Sequence, residues 1–169
     1  MENWFKLSSK EDNKAWEKLY KEFRYNPSMT SFPAFKIPCP YIKYNISSYL
    51  NWTEDMETFD EIYDDLELKS LHAFQALVHK GEYMYALDWQ HPSYWINPHL
   101  EFPKSEFDEW IVPIFPNGDY YFFIQKEFEW GLLGHPWEET ITIFGKELIE
   151  QFNMHQPRML HHIVDQVEE

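Results

Sequence analysis

The hardest constraint on the fold is the run Tyr120-Tyr121-Phe122-Phe123-Ile124, which follows directly on Pro116-Asn117-Gly118-Asp119. Proline suits the first corner of a turn, and Asn-Gly accepts the positive φ that a tight reversal demands. A strand is expected after such a turn, and its successive side chains point to opposite faces. A strand apolar at every position belongs in the middle of a sheet, with both faces covered or one face packed on helices. The turn also predicts residues 111–115 as the other arm of a hairpin, with Pro113 confining that arm to an edge or a bulge.

The rest of the chain supplies layers for such a sheet. Ser8-Ser9-Lys10-Glu11 fits a capping box, and Ala15, Trp16, Leu19, Tyr20 and Phe23 then recur at helical spacing. Four prolines within residues 27–41 predict an extended surface loop, and residues 41–46 a short strand. Thr53 suits the N-cap of a central helix with Met56, Phe59, Ile62 or Tyr63, and Leu66 as its buried stripe. Residues 71–78 fit either a continuation of that helix or a strand. Strands are expected at 82–89, 94–96 and 140–144, where apolar and polar residues alternate or β-formers gather. Gly131-Leu132-Leu133-Gly134 fits either a close approach of the backbone to a neighbouring group or a bulge or turn. Gly145 opens a helix carrying Leu148, Ile149 and Phe152, and residues 159–167 predict one further short amphipathic helix. This reads as an α+β fold: a largely antiparallel β-sheet packed with N-terminal, acidic central and C-terminal helices, in one domain over residues 1–169.

Charge narrows the function. The 169 residues carry 29 acids against 14 bases, a net charge of -15, which argues against a nucleic-acid partner. No apolar stretch approaches the length of about 20 residues that spans a bilayer, so no membrane role is expected. The N-terminus has no apolar run behind its charges, and Cys39 is the sole cysteine, so a cytoplasmic location is expected. Between Pro38 and Pro40, Cys39 is expected to act as a small buried hydrophobe. No Gly-x-Ser-x-Gly elbow, glycine-rich phosphate loop or His pair at helical spacing is present, so no cofactor and no metal are expected.

Three segments carry a resemblance: Ala86-Leu87-Asp88-Trp89-Gln90-His91-Pro92, Phe115-Pro116-Asn117-Gly118-Asp119-Tyr120-Tyr121 and Gly134-His135-Pro136-Trp137-Glu138. They are similar to the signature segments of a bacterial family known as domain of unknown function 2716. The resemblance covers most of the chain and is strongest over residues 82–150. It implies a bacterial, cytoplasmic protein and carries over no catalytic residue. A looser similarity, of pattern alone, is to Smi1-related immunity-type domains.

Two functional readings follow. The first is a non-enzymatic protein-binding module, immunity-like or regulatory. Residues 54–67 hold eight acids and no base. Helical spacing puts Glu54, Glu57, Asp60, Glu61, Asp64 and Asp65 on one exposed side, where they would steer a basic protein partner. The second is a small-molecule-binding or hydrolytic domain. Asp88, His91, His135 and Glu138 would converge as a His/carboxylate cluster with Trp89 and Trp137 lining the pocket.

Overall fold

The computed structural model describes residues 2–169. Among them a single eight-stranded sheet, antiparallel at every pairing, carries helices on both faces. The strands are β1 (Phe5–Lys6), β2 (Tyr41–Asn45), β3 (Met84–Asp88), β4 (Tyr94–Ile96), β5 (Tyr121–Ile124), β6 (Gly131–His135), β7 (Thr140–Phe144) and β8 (Ile163–Val167). Their spatial order is β1-β4-β3-β5-β6-β7-β2-β8. The helices are α1 (Ser9–Glu22), α2 (Ser47–Leu50), α3 (Met56–Leu77) and α4 (Lys146–Met154).

The apolar run at 120–124 is central, as its pattern requires. Tyr121 and Phe123 face a core shared with Ile62, Leu66 and Phe74 of α3 and Leu148 and Phe152 of α4. Phe122 and Ile124 face a second core with Ala15 and Leu19 of α1 and with Phe35 and Ile37 of the proline-rich loop. Alternation along one strand thus feeds two separate cores.

The start of α1 is the expected capping box: the Ser8 hydroxyl accepts from the Glu11 amide, and the Glu11 carboxylate accepts from the Ser8 amide. The central helix is longer and starts later than its pattern suggests. Asp55, not Thr53, caps it, accepting from the Thr58 amide at 2.8 Å. Residues 71–77 continue it as helix, while Met56 is exposed rather than part of the stripe.

Three further expectations are corrected, and one pair of alternatives is decided. Residues 111–115 form no strand, although Val112, Ile114 and Phe115 are buried. The physical reason is that β5 has only two edges, and β3 and β6 occupy both. For residues 131–135 the close approach holds and the bulge or turn does not: they form a strand, and a side chain at Gly131 or Gly134 would collide with Phe144 or Pro116 at 2.7 and 2.8 Å. Residues 163–167 are not helical but pair as a strand with β2. Cys39 is exposed, because the loop turns its thiol outward. No helix among the described residues is long and apolar enough to cross a membrane.

Candidate functional site

Strand register decides which candidate residues can meet. Asp88 lies opposite Tyr121, and Tyr121 lies opposite Gly134. Directly opposed residues share a face, so Asp88 and Tyr121 point to the α3 side. His135 is one residue beyond Gly134 and therefore points to the α1 side. The structure does not bring the four His/carboxylate candidates together; it divides them into two corners on opposite faces.

On the α1 side His135 is fully buried. Its Nδ1 accepts from the Glu138 amide at 3.1 Å, and its Nε2 lies 3.5 Å from the Tyr120 hydroxyl. Phe32 meets the ring edge-on, with centroids 4.9 Å apart. Burial, helped by the Lys43 ammonium, pushes His135 down to about 4, so it is neutral at physiological pH. The Glu138 carboxylate accepts from Lys43 at 2.8 Å. Trp89 and Trp137 are half-buried and pack edge-on against Tyr120. They wall an aromatic cluster rather than an open pocket.

On the α3 side Asp88 and Asp119 are both buried, while His91 is exposed above them. The sheet holds the two carboxylates together: Asp88 ends β3, and Asp119 stands two residues before β5, the strand beside it. One oxygen of Asp88 accepts from the amides of Gln90 at 3.1 Å and His91 at 3.2 Å. Asp119 accepts from the Tyr120 amide at 2.7 Å. His91 Nδ1 lies 3.2 Å from Asp88 and 3.5 Å from Asp119. Burial, with the neighbouring Asp88 carboxyl adding to it, pushes Asp119 up to about 7. Among the described residues no lysine or arginine pairs with either acid. Asp119 was legible only as a turn residue, because its proximity to Asp88 depends on β3 and β5 being neighbours.

The acidic helix builds a third feature. Glu57, Asp60, Glu61 and Asp64 of α3 are exposed, and so is Glu54, which lies before the Asp55 cap and outside the helix. Asp65 is half-buried, pairing with Lys69 at 2.8 Å and accepting from the Arg158 amide. Asp60 and Asp64 form one wall of a cleft of about 490 Å³. Asp108 and Glu109, just before the 111–115 segment, stand on the other wall. Phe59, Tyr63, Phe115 and Tyr121 supply apolar surface between them, and no base lines the cleft. The Tyr63 hydroxyl donates to Glu109 at 2.6 Å; burial and then this bond push the hydroxyl upward. Beside this cleft Glu67 is buried, with one oxygen bonded to Lys104 and the other without a partner. Asp108 and Glu109 carried no sequence signal beyond their charge.

This arrangement is an α+β protein with a base-free acidic cleft on one sheet face and a sealed aromatic cluster on the other. The chain belongs to the family described as "Protein of unknown function (DUF2716)", which matches residues 6–149. A relative in Bacillus subtilis (strain 168), "Uncharacterized protein YxiI", is 42% identical over 157 residues, covering 93% of this chain and 96% of the relative. No solved structure matches.

Proposed function

We propose that this protein is a cytoplasmic, non-enzymatic binding module, one domain over residues 1–169, whose acidic face receives a basic protein partner in an immunity-like or regulatory role. The observation that carries the reading is the cleft walled by Asp60, Asp64, Asp108 and Glu109, with aromatic surface between the acids and no base among its lining residues. Carboxylates offer charge to an ammonium or guanidinium group, and aromatic faces add cation–π attraction. The exposed carboxylates of Glu54, Glu57 and Glu61 extend the same negative field along α3 and would speed encounter. The exposed, unpaired thiol of Cys39 suits a reducing compartment. A hydrolytic or small-molecule reading that uses Asp88, His91, His135 and Glu138 as one cluster has less support, since His135 is sealed and Glu138 is engaged by Lys43.

The test is titration with a fluorescent hexaarginine peptide, with hexaglutamate as control. Binding is expected at low salt, to weaken steeply above about 0.1 M, where charge attraction is screened within about 10 Å. The double variant Asp60→Asn/Asp64→Asn should weaken it at least tenfold. An affinity indifferent to salt and to these two residues would overturn the proposal.

A further inference from the structure

The Asp88, His91 and Asp119 corner lies outside the cleft and has no part in the basic-partner reading. Its geometry is specific. The Nδ1 atom of His91 is 3.2 Å from an Asp88 oxygen and 3.5 Å from an Asp119 oxygen. One ligand atom from each of the three residues lies within 4.8 Å of the other two. In a tetrahedral zinc site, with ligands about 2.0–2.2 Å from the ion, neighbouring ligand atoms stand about 3.3–3.6 Å apart. The imidazole–carboxylate separations, 3.2 and 3.5 Å, lie within about 0.1 Å of the edges of such a tetrahedron.

Three further features point the same way. The carboxylates are fixed by adjacent strands, and backbone amides of Gln90, His91 and Tyr120 hold them in place. Metal sites commonly use such outer hydrogen bonds to orient their carboxylates. The two acids are 5% and 2% exposed, yet no ammonium or guanidinium side chain answers them among the described residues. Amides and the His91 ring are their only partners there, and two buried carboxylates side by side without a full positive charge are costly, a cost that a divalent cation removes. Finally, the third ligand, His91, is 65% exposed at the mouth, which leaves an entry path and a free coordination position toward solvent.

We propose that Asp88, His91 and Asp119 bind one divalent transition-metal ion of the zinc class, with two buried carboxylates and one imidazole as ligands and water completing the shell. Mixed imidazole and carboxylate donors favour such an ion over magnesium or calcium, which prefer all-oxygen sites. The site is independent of the basic-partner reading, because none of its ligands lines the acidic cleft.

The experiment is isothermal titration of the full chain, stripped with chelator, with zinc chloride and, separately, magnesium chloride. Zinc is expected to bind at one ion per chain, at least a hundredfold more tightly than magnesium, and to raise the thermal midpoint. His91→Ala removes an exposed side chain and should leave the fold intact while weakening zinc at least tenfold. Asp119→Asn should abolish the binding. A control, His161→Ala/His162→Ala, removes two other exposed imidazoles and should change nothing at this site. The proposal is overturned if zinc does not bind at millimolar concentration, or if His91→Ala and Asp119→Asn bind it as the parent does. Asp60→Asn/Asp64→Asn should bind zinc unchanged, so failure here is separate from failure of the peptide experiment.

Discussion

The two histidine–carboxylate corners use the same residue types beside the same central strand, and they have opposite characters. At His135 every demand is met inside the protein: the ring is buried among Phe32, Phe35 and Tyr120, and the Glu138 charge is answered by Lys43. At His91 the ring is exposed, and it is the one basic side chain near the two acids beneath it among the described residues, where no lysine or arginine reaches them. The difference comes from strand parity. Asp88 shares the face of Tyr121, and His135, one position past Gly134, takes the other. A site is therefore marked less by its residue types than by unbalanced charge and access to solvent.

Substitution of Lys43 tests this comparison most severely. Lys43→Ala strands Glu138, and breaking a largely buried ion pair from one side costs about 3 kcal/mol or more. Urea unfolding should show that loss, whereas Asp119→Asn should change stability by less than about 1 kcal/mol or raise it, because it relieves the crowding of two buried carboxyls that no lysine or arginine reaches among the described residues. Equal losses in the two variants would erase the distinction.

The pH dependence is the next largest effect. His135 sits at about 4 in the folded chain against an ordinary value of 6.5, so the unfolded chain takes up the proton first. Its contribution is fully present above about pH 6.5 and falls as the pH drops to about 4. At most this is about 3 kcal/mol. The groups facing the ring are Lys43, Tyr120 and the Glu138 backbone. The difference in stability between parent and His135→Gln should shrink across that window.

Gly134→Ala probes the strand that separates the corners. The added methyl would stand 2.8 Å from Pro116 Cβ and 3.2 Å from the Tyr121 carbonyl. Overpacking of this kind costs about 1–3 kcal/mol, read as a lower thermal midpoint. The smallest stability effect belongs to Asp64→Asn on the exposed side of α3, expected within about 0.5 kcal/mol. Its hexaarginine affinity should nevertheless fall, which would separate surface acids that serve binding from buried ones that burden the fold.

Much of the architecture was legible. The Ser8 capping box, the central strand after Gly118, and strands around 84–88, 94–96 and 140–144 each follow from local chemistry. The misses are cases where local pattern is ambiguous. Ile163, Val164 and Val167 fit a helical stripe, but the free edge of β2 captures them as a strand. Residues 111–115 gather β-formers around Pro113, yet both edges of β5 are taken, and Pro113 and Phe115 line the acidic cleft instead. At the candidate site Asp60 and Asp64 were legible because helical spacing alone places them. Asp108, Glu109 and Asp119 were not, because each acquires its neighbours through contacts distant in sequence.

The sequence by itself determined that the chain folds around a sheet buried on both faces, that its acids gather on one helix, and which family it joins. These are local or additive properties: alternation, capping and charge density. Only the tertiary structure decided which side chains meet. Strand order put Asp119 beside Asp88, and the one-residue alternation of the pleat sent His135 to the opposite face. A period of two makes that outcome all or nothing, and no spacing in the sequence states which strands will be neighbours.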